Sequence, residues 1–287
     1  MIPGICEHWV FDFEQKSDSF LSVPFFYNGL PMKNADFPLC FLTLASLGAM
    51  RFRWEETNSL RDSFFSSVFA GSGKTMMPIE LIHSHTVYAV CLDSHDKIKL
   101  QGMHDSGDNA VPLRTGDGLI SCDARIVPVV TVADCVPVYL YNPVKKCFGV
   151  LHSGWKGTGI AVEAIALAEK LYGTVAGDFC VVIGPHIHGC CYTVDKDRAT
   201  AFAKRYGKGC VDFSLDYGSH LSLVAANLRL LVDAGVKPEN ILHCTDCTCC
   251  DNRFGSFRRE TSYLPAGIPM QDRLKAFTPM AAFINAK

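Results

Sequence analysis

The chain has 287 residues, 48% of them apolar and 20% charged, the make-up of a globular protein with a sizeable core rather than a disordered one. A formal charge of −2 gives no electrostatic footprint for nucleic acid or an anionic membrane. The longest apolar run, FPLCFLTLASLGAM at 37–50, is too short for a bilayer, and no basic n-region precedes an apolar stretch near Glu7, so neither membrane span nor signal peptide is expected and the expected location is cytoplasmic.

In chain order, 37–50 reads as a buried strand and WEETNSLRDSFFSSVF at 54–69 has helical spacing. GSGKT at 71–75 lacks both the four-residue spacer and the preceding strand of a phosphate loop, and reads as a connector. PIELIHSHTVYAVCLD at 78–93 alternates like a strand, and 104–119 is loop-rich. Residues 126–152 read as a hairpin. A helix then starts near Thr158, as N-cap, and stops at Gly173, followed by a strand at 179–185. Helices are expected at 196–206 and 221–234, with a strand at 240–243. Strands and helices alternate irregularly, which predicts an α+β fold, a layered mixed β-sheet flanked by helices. With no linker-like break, residues 1–287 are expected to form one domain.

Fourteen cysteines in such a chain are expected to be reduced thiols, serving as core, metal ligand or nucleophile. Cys40, Cys91, Cys147 and Cys180 lie in apolar runs and are expected in the core. The chemistry concentrates in TVADCVPVYLYNPVKKCFGVLHSGWKG at 131–157. If the turn centres on Val144, Cys135 lies opposite residues 152–154 and beside His152. Facing side chains on paired strands have Cβ atoms about 4.5–5.5 Å apart, close enough for a thiolate and an imidazole to share one ion. A third ligand should come from LIHSHTV, where His83 and His85 fall on one face and spacing does not choose between them. Three Cys/His ligands leave a fourth position for water or substrate, the pattern of catalytic zinc. Asp117 and Asp134 are candidate orienters or proton carriers.

These stretches, with GDGLIS at 116–121, IGPHIHGCCYTVD at 183–195 and CTCCDNRFGSFRRE at 247–260, make the sequence similar to the YfiH-like laccase-domain family over about 80–260. Those proteins were first called multicopper polyphenol oxidases and are now described as zinc-dependent purine nucleoside phosphorylases. The resemblance implies His83 rather than His85, with Cys135 and His152, as the metal ligands. It also implies a fold similar to the cytotoxic necrotizing factor catalytic domain. The chain departs from the family in three places. TLASLGAM at 43–50 lacks the usual arginine, Leu81 stands for a common glutamine, and the tail lacks Gly-Arg after SFRRE. Arg51, Arg53 or Arg61 could replace the missing charge, Arg61 being favoured by its place in the next helix.

The leading expectation is phosphorolysis of purine nucleosides, with adenosine deamination at the same zinc. Phosphate would be held by amides and a helix end near Gly154, Lys156 and Gly157, with charge from Arg61, Arg258 and Arg259. Copper-dependent phenol oxidation is a second reading, since thiolate and imidazole also bind copper. A third makes Cys135 the nucleophile of an amidase acting on peptidoglycan precursors, since His152 and an acidic residue flank it. A non-enzymatic alternative groups Cys190, Cys191, Cys244, Cys247, Cys249 and Cys250 around a structural zinc. The expected partners are a purine nucleoside and phosphate, without nucleic acid or membrane.

Overall fold

The computed structural model describes residues 2–13, 17–33, 37–103, 115–213 and 218–286. The centre is the hairpin Val136–Asn142 and Cys147–Ser153, buried at every position on both strands. Unbroken burial explains why these strands read as continuous apolar runs rather than alternating ones: both faces are covered. Alternate residues Val136, Val138 and Leu140 meet the helices Ile160–Tyr172 and Leu223–Asp233. Tyr139 and Tyr141 point the other way, into a core shared with a second sheet.

The hairpin lies inside an eight-stranded mixed sheet. On one side it is followed by Cys180–Ile183, Ile241–Cys244 and Cys6–His8, and on the other by Gly118–Ser121, Val87–Leu92 and Ile98–Gly102. A five-stranded sheet, in the order Phe20–Pro24, Leu39–Thr43, Met280–Asn285, Ile126–Val132 and Thr75–Pro78, lies against its apolar back. The outer face of that second sheet is covered by the helix Ser59–Val68, through Phe65 on Val127, Val129 and Phe283. The layers are therefore helix, sheet, sheet, helix, a mixed fold of sheets flanked by helices. Among the described residues no helix is long and apolar enough to cross a membrane.

Several expectations are met closely, including the helix Lys196–Tyr206 and the strand Ile241–Cys244. Others need correction. Ile126–Val132 is not part of the hairpin; it pairs with Met280–Asn285 and Thr75–Pro78 in the second sheet. The stretch 78–93 is not one strand, because Thr75–Pro78 and Val87–Leu92 belong to different sheets and a loop carrying both histidines joins them. Thr158 is not the N-cap: its hydroxyl donates to the Gly154 carbonyl, and Gly159, at φ 97°, starts the helix. Cys40, Cys147 and Cys180 are buried, but Cys91 is exposed on a strand near the sheet edge. Most of the loop expected at 104–119 lies outside the described residues, and its end forms the strand Gly118–Ser121.

Candidate metal centre

The hairpin register pairs Pro137 with His152 and Val136 with Ser153. Carried one residue further, Cys135 faces Gly154, and the alternation of strands puts His152 on that same face. His83 reaches this point from the loop before Val87–Leu92, its backbone in the left-handed region at φ 58°. The ligand atoms of His83, Cys135 and His152 all lie within 4.8 Å of one another, His152 buried and His83 exposed, so the group opens to solvent on one side. The rings of His83 and His152 meet edge to face at 4.9 Å. His85 is elsewhere, its Nε2 at 2.9 Å from the Thr158 carbonyl.

Asp117 builds this loop. Its wholly buried carboxylate accepts from the amides of His83 at 2.9 Å and Ser84 at 2.6 Å, and from the Ser84 hydroxyl at 2.8 Å. It also meets His152 Nδ1 at 2.9 Å, while its own carbonyl accepts from the His152 amide at 2.7 Å. Burial alone would raise the Asp117 carboxyl, but the bonds from His152 and Ser84 outweigh it and hold it below the usual value. Burial likewise opposes charge on His152, yet the Cys135 sulfur and Asp117 outweigh it and push that imidazole up to about 10. His83 is held below its ordinary value by burial, then by the neighbouring His152.

Two imidazoles and a thiol, one imidazole backed by a carboxylate, form a donor set suited to zinc or copper. The space before them fits an ion because Gly154 leaves it open. A Cβ there would stand 3.0 Å from Cys135 Sγ, 3.7 Å from His152 Cε1 and 3.8 Å from His83 Cδ2. Gly154→Ala is therefore expected to weaken ion binding about 10–100-fold, the size of effect that changes around a ligand set produce. Competition with a chelating dye measures this, and unchanged affinity would show that the ion does not use this space.

The other expected residues divide into two groups. Lys156 is exposed beside the Trp155 ring, whose face also carries Arg198 at 4.8 Å. Arg258 lies 5.6 Å over the Tyr192 ring and donates to the Thr193 carbonyl. Burial, then the Cys135 sulfur, push the Tyr192 hydroxyl up to about 12. Sequence reasoning missed Trp155, Tyr192 and Arg198, although Trp155 stands inside the HSGWKG stretch it singled out. Arg61 is engaged elsewhere: its guanidinium holds Asp62 and the Arg51 carbonyl and lies over Phe52. Arg259 donates to the carbonyls of Thr248, Cys249, Asp251 and Phe254, clamping the loop before it. Arg259→Ala should cost about 2–3 kcal/mol by urea unfolding, since these carbonyls lose a charged donor.

Asp134, at φ 79°, is buried beneath Cys135. It accepts from the Thr248 hydroxyl at 2.7 Å and the Arg258 amide at 2.6 Å, and its carbonyl takes the Ile187 amide. Burial raises its carboxyl despite these bonds. At the proposed phosphate-binding helix end, the Gly159 and Ile160 amides already donate to Asn227 and to the Gly157 carbonyl.

Among the described residues, two further groups could hold metal. One is Cys190, Cys191, Cys247 and Cys250; Cys244, buried in its strand, and Cys249 are not among them. The other, unforeseen from the sequence, is His186, His188 and His243. Its only sequence signal was the H-x-H spacing of the first two.

A model of the multi-copper polyphenol oxidoreductase laccase family matches residues 58–267. A purine nucleoside phosphorylase of Borreliella burgdorferi is 32% identical over 157 residues, 53% of this chain and 67% of that protein. The mouse purine nucleoside phosphorylase LACC1 is 33% identical over 140 residues, 47% of this chain and only 32% of that much longer protein. Adenosine deaminase RL5, from an unidentified prokaryote, is 31% identical over 160 residues, 54% of this chain and 61% of its own length. The crystal structure of Bacillus licheniformis YfiH has the same fold, with TM-score 0.72 at 22% identity over 96% of this chain and 99% of that one.

Proposed function

The chain belongs to the multi-copper polyphenol oxidoreductase laccase family, and from that premise we propose that His83, Cys135 and His152 form the centre of a zinc-dependent purine nucleoside phosphorylase that also deaminates adenosine. The observation that supports it most is the meeting of two imidazoles and a thiol beside the exposed His83, with Asp117 behind one imidazole. A bound zinc ion would supply a Lewis acid that acidifies water and draws electrons from the substrate.

The chain's own residues do the rest. The charge that Cys135 and Asp117 favour on His152 would give way to a bound cation. With that ring neutral, Asp117 accepts its Nδ1 proton, which leaves Nε2 free to ligate, and the same carboxylate shapes the loop of His83. Trp155 and Tyr192 offer ring faces for the purine. Arg198, Arg258 and Lys156 surround those rings with positive charge for phosphate. In phosphorolysis a phosphate oxygen bonds C1′ of the ribose as the C1′–N9 bond breaks, and the leaving base takes up a proton. In deamination water adds to C6 of adenine and ammonia leaves. Asp134 positions Cys135 rather than meeting substrate, because Thr248 and Arg258 occupy its oxygens.

One observation favours a second reading. Asp117, His152 and Cys135 stand in the order of a thiol-nucleophile triad, which suits an amidase. The assay separates the two. Zinc-replete protein should release ribose-1-phosphate from adenosine or inosine only with phosphate present, and inosine from adenosine without it. No turnover of any nucleoside, with amide cleavage that resists chelators, would sink the phosphorylase.

A further inference from the structure

Away from this centre, four thiols are arranged as the ligands of one ion would be. Cys190 Sγ lies 3.8 Å from Cys191, 3.7 Å from Cys247 and 3.7 Å from Cys250, and Cys191 lies 3.4 Å from Cys250. A tetrahedral Cys₄ zinc with bonds of about 2.3 Å has edges of about 3.8 Å. A disulfide would draw two sulfurs to about 2.05 Å and leave the others outside, whereas here each spacing is close to that edge. The His188 amide donates to Cys247 Sγ at 3.4 Å, a bond that offsets thiolate charge.

We propose that Cys190, Cys191, Cys247 and Cys250 hold a closed structural zinc ion, additional to the one proposed at Cys135. Binding would displace the thiol protons and leave no open position, so this ion ties loops rather than reacting. Its loops are the ones that suspend Asp134. Thr248 lies between Cys247 and Cys250, and Ile187 lies just before Cys190. The ion would thereby fix the backbone at Cys135 from behind.

Cobalt(II) replacement tests this in the full chain carrying Cys135→Ser, which removes the only thiol of the other centre. The expected result is the strong thiolate-to-metal absorption of one tetrathiolate cobalt, lost when Cys250→Ser is added. A single variant that folds but shows no such absorption overturns the proposal, as does a disulfide among these four in protein purified without oxidant. If the double variant fails to fold, the single variant's spectrum decides.

A different observation carries a neighbouring site independently. The Nε2 atoms of His186, His188 and His243 are all buried without a partner, and one ring nitrogen of each lies within 4.8 Å of the others. Two of the rings are fixed from behind, His186 Nδ1 by the Gly184 carbonyl at 2.9 Å and His243 Nδ1 by the Glu7 carboxylate at 3.5 Å. Unpaired buried nitrogens are costly, while tied Nδ1 atoms with free Nε2 atoms are how metal-binding histidines are held. The geometry assigns these three histidines to a divalent first-row ion. Anomalous diffraction at the zinc edge, on protein crystallised with zinc, should show a peak bonded to all three Nε2 atoms. Water or empty space there overturns it.

Discussion

Cys135→Ser is expected to bring nucleoside turnover below about a thousandth of the parent rate, the scale of loss when a charge-stabilising element of a site is removed, and to release one bound ion per chain. The thiolate is the only anionic ligand of the three, and a serine hydroxyl stays protonated at neutral pH and binds zinc poorly. The fold should persist, because serine nearly matches the volume and Cys135 is only partly buried. Metal content, turnover and thermal midpoint are measured on one preparation. If turnover vanished while the metal count held, Cys135 would be a nucleophile, and the amidase reading would take its place. Chelation of the parent protein gives the converse: activity lost with the ion and regained with zinc. A parent enzyme indifferent to thorough metal removal would reject the Lewis-acid role outright.

Why some of this could be read from the sequence and some could not follows from range. The hairpin is local: four residues, 143–146, close it, so the neighbourhood of Cys135 and His152 follows from counting back from the turn. Helices such as Lys196–Tyr206 are also local, with Asp195 capping the first turn through the Arg198 amide. The stretch 78–93 misled because its apolar residues alternate on both sides of a break that no local signal marks. His83 takes a positive φ only because Asp117, 34 residues later, captures its amide. Spacing therefore left His83 and His85 equivalent, and family likeness alone preferred the first. Arg259 looked like a free cation for substrate, yet its guanidinium faces carbonyls five to eleven residues upstream. The cysteine groups came together by a parallel bridge between His186 and Cys247, a contact across some sixty residues that cysteine spacing does not encode. The parallel pairing of Cys180–Ile183 with Ile241–Cys244, which sets Ile183 opposite His243, brings His243 towards His186 and His188, which is why that trio was invisible in the linear order.

Asp117→Asn should then be the most damaging change that spares every ligand. Four groups converge on this carboxylate: two amides, the Ser84 hydroxyl and His152 Nδ1. An asparagine offers one accepting oxygen and one NH₂ group. Whichever way it turns, at least one buried donor loses its acceptor, at about 1–3 kcal/mol, so the thermal midpoint should fall. The larger effect is on the imidazole. If the new NH₂ faces His152, Nδ1 must accept, and the ring proton moves to Nε2, the atom needed for the ion. If the oxygen faces His152, it keeps the His83 amide as well, but the NH₂ opposes the Ser84 amide and hydroxyl, and the loop carrying His83 is displaced at its next residue. Either outcome weakens the ion by about 10–100-fold, as losses behind a metal-bound histidine do. Raising zinc should therefore restore part of the turnover in Asp117→Asn and none in Cys135→Ser. Equal loss in both variants with zinc affinity unchanged would place Asp117 in proton transfer rather than in orienting His152.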